Sequence, residues 1–247
     1  MKRAADLLLS VIVLFLSLPL TVPTMILIWL QDFHSPFYLA PRVGKDGREF
    51  LMVKFRSMVV NADRTGVDST SRNDPRITAI GAFVRRYKLD ELPQFLNVLS
   101  GKMSVVGPRP NLRRGTDTYT EAERLLLTVK PGITDFASIV FSDEGDILAG
   151  SVNPDRDYDH LIRPWKSRLG IFYVKHCSFL LDLQLTWLTA LALFSRKRAL
   201  AAIAQLLDKL GADDRLIEVS RRSSALVRYP LPGQENDAPS ESKAVNS

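Results

Sequence analysis

From Leu7 to Leu30 the chain runs 24 residues without a charge, and nearly every position is apolar. A helix of that length reaches roughly 36 Å, enough to cross a bilayer core of about 30 Å. A cleaved leader is the first alternative. The run is long for one, and the bulky, polar Gln31-Asp32-Phe33-His34-Ser35-Pro36 follows where a small-residue cleavage site would stand. The pattern predicts an uncleaved membrane anchor. Ser17-Leu18-Pro19 and Thr21-Val22-Pro23 put two prolines in its middle. Proline removes a backbone donor and crowds the preceding turn. The expectation is a re-entrant helix that turns back at Ser17, Pro19 and Pro23. A true span would leave Lys2 and Arg3 on the outer face, against the positive-inside bias.

Beyond the anchor the pattern shortens. Glu49–Phe55 reads as a strand. The polar stretch over 61–76 reads as a mobile loop, and Ile80, Phe83, Val84 and Tyr87 mark a helix over 77–87. Leu89–Leu99 predicts a helix with Asp90 as N-cap, Pro93 in its first turn and Gly101 past its end. A further helix is expected over 121–129, stopped by Pro131-Gly132. Residues 176–194 are again apolar, but Asp182 and Gln184 interrupt them and Arg196-Lys197-Arg198 follows. That pattern fits an interfacial helix with Trp187 at headgroup level, or equally a core helix. Another helix is expected over 199–210. From Leu231 the composition is that of a disordered tail. The predicted fold is mostly α with little β. It divides into a membrane anchor (1–35), a small membrane-associated cytosolic domain with interfacial amphipathic helices (36–198), a helical extension (199–230) and a tail (231–247).

Composition adds little except through charge. The net charge is +6, and residues 41–130 carry 17 Lys and Arg against 10 Asp and Glu, so the excess lies there. An anionic partner is favoured. A single cysteine excludes an intrachain disulfide, and the three scattered histidines offer no metal spacing. The densest cluster of reactive types is Arg85-Arg86-Tyr87-Lys88-Leu89-Asp90-Glu91, with Gly107-Pro108-Arg109-Pro110 shortly after. An acidic pair at a helix start is ordinarily capping. Here Pro93 lacks the N–H such a cap would bind, which leaves Asp90 unused acceptor capacity. Guanidinium groups match phosphate oxygens bidentately, so Arg85 and Arg109 are candidate phosphate ligands, with a solvated basic face as the plain alternative. The two prolines hold Arg109 in a rigid turn. No Walker A motif, glycine-rich dinucleotide fingerprint or nucleophile–histidine pair is present.

Six strings occur in order: Lys54-Phe55-Arg56-Ser57-Met58, Asp74-Pro75-Arg76-Ile77-Thr78, Leu89-Asp90-Glu91-Leu92-Pro93-Gln94, Asn97 through Ser104, Val106-Gly107-Pro108-Arg109-Pro110, and Lys130-Pro131-Gly132-Ile133-Thr134. In this the chain resembles the bacterial sugar transferases, the monotopic phosphoglycosyl transferases, from residue 2 to about 195. The resemblance implies transfer of sugar-1-phosphate from a UDP-sugar to a polyprenol phosphate (undecaprenyl phosphate), with UMP released and Mg²⁺ as cofactor. The product would open lipid-linked glycan synthesis, such as exopolysaccharide, O-antigen, capsule or glycoprotein. It implies a catalytic dyad at Asp90 and Glu91, with Asp90 the nucleophile and Glu91 a possible metal ligand. Arg85, Arg109, Lys54 and Arg56 would bind substrate phosphate. The protein would lie at the bacterial inner membrane with its catalytic domain on the cytoplasmic face, where UDP-sugars are made, and would bind no nucleic acid. Three departures stand out. Ser17-Leu18-Pro19 replaces an adjacent Ser-Pro, Pro41 stands before Arg42 where a Gln is usual, and Asp135-Phe136-Ala137 replaces Gly-Leu-Ala. The alternative class is a membrane-tethered nucleotide- or nucleic-acid-binding regulator, which lacks a helix-turn-helix or aromatic–basic pattern in its support.

Overall fold

A computed structural model describes residues 1–66, 69–71 and 73–234. The first helix, α1 (Lys2–Asp32), is continuous through Pro19 and Pro23, so its backbone shows no break at Ser17, Pro19 or Pro23, where a turn-back was expected. The hydroxyls of Ser10, Ser17 and Thr24 donate to the carbonyls of Asp6, Leu14 and Leu20, and Thr21 donates weakly to Leu18. Most of the large apolar side chains from Leu8 to Leu30 are exposed.

Both ends of α1 are tied to one body. At its start Lys2 Nζ donates to Asp182 Oδ2 (2.6 Å), Tyr173 Oη (3.2 Å) and the Val106 carbonyl (3.0 Å). Arg3 donates to the Val98 and Leu99 carbonyls, and Asp6 accepts from Ser104 Oγ and Val105 N. At its end Ile28 is buried against Phe55 and Val84, and Asp32 binds Arg56.

A hairpin follows: β1 (Phe37–Val43) pairs antiparallel with β2 (Glu49–Phe55). Then come α2 (Ala79–Arg86), capped by Thr78 Oγ1, and α3 (Gln94–Leu99). Next are β3 (Ser104–Val106), α4 (Arg113–Asp117) and β4 (Gly132–Thr134), the last parallel to β3. Short α5 (Phe136–Val140), α6 (Glu144–Ile147) and α7 (Pro154–Asp157) lead through a π-turn over Tyr158–Ile162 into α8 (Arg163–His176). The chain ends in α9 (Phe179–Phe194), α10 (Arg196–Lys209) and α11 (Asp214–Arg221). The fold is mostly helical with little strand, as the sequence pattern predicts.

Several boundaries differ from expectation. The strand over 49–55 falls where alternation put it, but its partner β1 is unannounced. The helix expected from Leu89 begins at Gln94, because Leu89–Glu91 winds as a 3₁₀ turn and Pro93 occupies the N-cap position. Residues 123–128 form 3₁₀ turns where a helix over 121–129 was expected. The loop over 61–76 lies partly outside the described residues. Its described part holds a turn at Ala62–Thr65 and the pair Asp74–Arg76. The tail from 235 onward lies outside them too. Helix α9 meets both readings of its pattern: Leu181, Leu185 and Leu188 are buried, while Leu180, Leu183, Trp187 and Phe194 are exposed. Asp182, which interrupts the apolar run, is the partner of Lys2.

The core gathers Val98, Met103 and Val105 with Phe136, Trp165, Leu169 and Leu185, and continues into Ile203, Leu207 and Leu216 beyond the family resemblance. Two features lock the pieces that carry the site. The Asn97 amide accepts from Val53 N (2.8 Å) and donates to the Leu51 carbonyl (2.8 Å), so a side chain closes the free edge of β2. Gly107 and Gly132 pass so closely that a Cβ on Gly132 would lie 2.1 Å from Gly107 N. Only glycine allows the approach that sets Pro108-Arg109-Pro110 beside β4.

Candidate active site

Strand periodicity lays down the first wall. Tyr38 is opposite Lys54, Ala40 opposite Met52, and Arg42 opposite Phe50, so these six share one face of the hairpin. Ala40, Met52 and Phe50 are buried on that face, which places Tyr38, Lys54 and Arg42 at the edge of the core. The second wall is the 3₁₀ turn Leu89–Glu91. The chain enters it through Lys88, whose φ of 56° is a left-handed conformation that ordinary residues rarely adopt. Asp90 is buried, and its Oδ2 lies 4.0 Å from Lys54 Nζ. Among the described residues its carboxylate accepts no hydrogen bond. Asp90 is therefore no N-cap, contrary to the sequence reading.

Arg109 forms the third wall. Its guanidinium forks onto Glu91, with Nη2 to Oε1 at 2.5 Å and Nη1 to Oε2 at 3.4 Å. Arg85, in the last turn of α2, makes no such bond, but its charge reaches Asp90. Behind these stand residues that the sequence reading missed as site residues. Lys166 Nζ binds Glu144 Oε2 (2.5 Å) and lies 5.4 Å from the centre of the Tyr158 ring. Burial first and Arg109 second lower the proton affinity of Arg42, whereas Glu144 and Tyr158 outweigh burial and Arg109 and raise that of Lys166. Nothing local points to Arg42, since β1 does not announce itself in the sequence. Glu144, Tyr158 and Lys166 carry no local signal either, since only tertiary folding brings α6 and α8 here.

Burial and charge split the dyad. Burial raises the Asp90 carboxyl above its ordinary value of 3.8; Lys54 opposes this and Glu91 adds to it. Burial would raise Glu91 as well, but Arg109 and Lys54 outweigh it and hold that carboxyl at about 2. A buried carboxylate with few partners is the more basic of the two and the better nucleophile, while its neighbour stays a fixed anion. Lys54 is itself pressed down to about 8, by burial first and Arg109 second, with Glu91 and Asp90 opposing. Lys54, Arg109 and Lys166 each face a carboxylate. Arg42 is influenced by Arg109 and by the Tyr38 and Tyr158 phenols, with no carboxylate beside it. The site therefore holds more cations than carboxylates, with Lys54 turned on the buried Asp90, which suits a multiply charged phosphate ester.

Of the residues expected at the site, Asp90, Glu91, Lys54, Arg85 and Arg109 come together. Arg56 does not. Its Nε donates to the Ser35 carbonyl (2.9 Å), and its two Nη groups bind the Asp32 carboxylate and reach the Ile28 and His34 carbonyls. Arg56 is the clasp on the end of α1, its guanidinium committed to Asp32 and the carbonyls around it. The departure Asp135-Phe136-Ala137 has a structural role: Asp135 caps α5 by accepting from Ser138 N and Oγ, and Phe136 and Ala137 enter the core.

For a divalent cation, no group of three His, Cys, Asp or Glu among the described residues forms a cage. Mg²⁺ does not require one, since it commonly takes one or two carboxylates plus substrate phosphate and water. Asp90 and Glu91 fit that mode, although Arg109 already occupies both Glu91 oxygens.

Comparison with known proteins adds the following. The family described as bacterial sugar transferase matches residues 1–196. The UDP-N-acetylgalactosamine-undecaprenyl-phosphate N-acetylgalactosaminephosphotransferase of Aeromonas hydrophila is 34% identical over 191 residues, covering 76% of this chain and 42% of that protein. The UDP-glucose:undecaprenyl-phosphate glucose-1-phosphate transferase of Escherichia coli K12 is 34% identical over 204 residues, 81% of this chain and 41% of that one. The undecaprenyl-phosphate galactose phosphotransferase of Salmonella typhimurium is 33% identical over 217 residues, 81% and 41%. The chain thus spans about two fifths of the length of these relatives.

Proposed function

The chain belongs to the bacterial sugar transferases, and from that premise we propose that it transfers sugar-1-phosphate from a UDP-sugar to a polyprenol phosphate, releasing UMP. The observation that carries this reading is the Asp90–Glu91 pair, with Lys54 4.0 Å from Asp90, Arg109 forked onto Glu91, and the charges of Arg85 and Lys88 within reach. Relatives named for three different sugars support the reaction class and leave the sugar open.

In the proposed reaction an Asp90 carboxylate oxygen attacks the phosphorus that bears the sugar. The bond from that phosphorus to UMP breaks, and UMP leaves with the electron pair. An acyl-phosphate links Asp90 to the sugar. A polyprenol phosphate oxygen then attacks the same phosphorus and frees the carboxylate. An ionised carboxylate needs no general base, and Lys54 and Arg85 oppose the burial that raises its proton affinity. Its problem is repulsion, as two anions must meet twice. Lys54 and Arg109 are preorganised against that charge in a partly dry site, where such groups act most strongly. Arg42, with no carboxylate to neutralise it, is assigned to the diphosphate of the donor. Arg85 guards the outer edge. Mg²⁺, when bound at Asp90 and Glu91, would supply further neutralisation of phosphate charge.

The location is inferred from α1. A straight span leaves its two ends on opposite faces of a bilayer, yet Lys2, Arg3 and Asp6 bind the same domain as Ile28 and Asp32. That supports a re-entrant anchor which enters and leaves on the cytoplasmic face of the inner membrane. The exposed apolar middle of α1 lies in lipid, and the exposed face of α9 with Trp187 lies at its surface.

The test is UMP release by the purified protein from a panel of UDP-sugars with Mg²⁺ and undecaprenyl phosphate. Release that requires the lipid phosphate supports the reading. Nucleotide binding without release from any donor would instead favour the tethered regulator.

A further inference from the structure

The family match ends at residue 196, yet the chain continues, and its last described stretch returns to the site-bearing part of the fold. After α11 the backbone runs back along the π-turn and α8. Tyr229 N donates to the His160 carbonyl (3.3 Å). Arg168 Nη1 donates to the Pro230 carbonyl (2.8 Å), and Thr120 Oγ1 to the Pro232 carbonyl (2.7 Å). The Tyr229 ring stacks on Trp165, with centroids 4.3 Å apart and planes 18° from parallel. Two guanidiniums lie over that ring, Arg168 from α8 at 4.6 Å and Arg215 from α11 at 4.5 Å. Trp165 is almost fully buried and Pro232 is buried.

These attachments have a definite place. They fall at 160, 165 and 168, two residues past Tyr158 and on either side of Lys166, the two residues that this segment sends into the active site. The segment is held by Arg163 on Glu123 and Thr118 and by Ser167 on Glu123, and these attachments add to that hold. The segment is a π-turn running into the first turn of a helix that opens Arg163-Pro164, with no side-chain cap. Uncapped helix starts are where local opening is cheapest, and π-turns are frequent where a side chain must be aimed. Trp165 and Lys166 are neighbours in sequence. A ring clamped at Trp165 therefore fixes the rotation of the helix about the point where Lys166 leaves it for Glu144.

We propose that residues 226–234 form an intramolecular strap that positions Tyr158 and Lys166 in the active site, with Tyr229 as its pin. Tyr229 itself touches no reacting group; it is a positioning residue acting through Trp165 and the π-turn. The kinetic consequence rests on the transferase reading above, whereas the structural consequence does not.

The experiment compares wild type, Tyr229→Ala and Tyr229→Phe, well below the melting temperature of each. Hydrogen exchange of amides 158–166 is read against amides 94–106, which the strap does not touch. Acylation of Lys166 by an amine reagent is read by mass spectrometry against exposed Lys102 and Lys130. In Tyr229→Ala, exchange at 158–166 and Lys166 acylation should each rise about tenfold, with the reference sites unchanged. kcat/KM for the UDP-sugar should fall by a similar factor. Tyr229→Phe keeps the ring and should match wild type in all three. Unchanged exchange and acylation in Tyr229→Ala, or a rise shared equally by the reference sites, would overturn the strap. Equal loss in Tyr229→Phe would overturn the ring's part in it. If wild type turns over no UDP-sugar, the transferase reading falls, and exchange and acylation still decide the strap.

Discussion

Lys54 gives the sharpest handle on how the site works. Its ammonium sits 4.0 Å from Asp90, and its proton affinity is lowered from 10.5 to about 8, chiefly by burial and by Arg109. That drop corresponds to about 3 kcal/mol against the charged form. The folded group loses its proton as pH rises through about 8, whereas the unfolded chain keeps it to 10.5. Over that window the unfolded state binds more protons, so stability should rise with pH while the charge that serves the reaction disappears. In a pH series of UMP release, kcat/KM should turn down near pH 8 and fall about tenfold per further unit. The limb in kcat should lie higher, because bound phosphate favours the ammonium, and kcat reports the complex. Lys54→Arg stays charged and should lose the limb below pH 9.5, though at reduced rate, since the guanidinium has a different shape. Lys54→Met should be slow at every pH, and its acid limb should move up because Asp90 loses the cation that lowers it. A wild-type kcat/KM flat to pH 9.5, or the same limb in Lys54→Arg, would refute the assignment.

Other consequences are open to the same assay. Arg109→Lys breaks the fork onto Glu91 and should lower kcat by about 10²-fold, as loss of a preorganised donor does, which steady-state UMP release would measure. Arg56→Met should lower the melting temperature in detergent yet leave KM for the UDP-sugar within about twofold, because Arg56 clasps Asp32 and faces no substrate. A cysteine at residue 2, with Cys177 replaced by Ser, should resist a membrane-impermeant thiol reagent in intact cells and react after lysis. Labelling from outside would rule out a re-entrant α1.

Much of this was legible in the chain, for reasons that differ by element. The anchor announces itself by length and lack of charge, and β2 by alternation. Its partner β1 is hidden because Pro41, opposite Leu51, reads against a strand, although it pairs in one here. Asp90 and Glu91 could be picked out by type and spacing, but their division could not. That division depends on Arg109, 18 residues away, and on Lys54, which β2 brings to Asp90. Arg56 shows the reverse error. It stands in a string rich in cations, and only the folded path of α1 reveals that Asp32 takes it. Glu144 and Lys166 form one ion pair from positions 22 residues apart, and no local pattern marks either.

The central claim is that Asp90 carries the sugar phosphate covalently. Purified protein incubated with a turned-over UDP-sugar and Mg²⁺, without lipid acceptor, should gain the mass of one sugar phosphate. Peptide mapping should find that mass on Asp90, and undecaprenyl phosphate should then discharge it. Asp90→Asn should gain nothing while remaining folded. An adduct absent from a wild type that releases UMP with lipid present, or one retained in Asp90→Asn, would contradict the account.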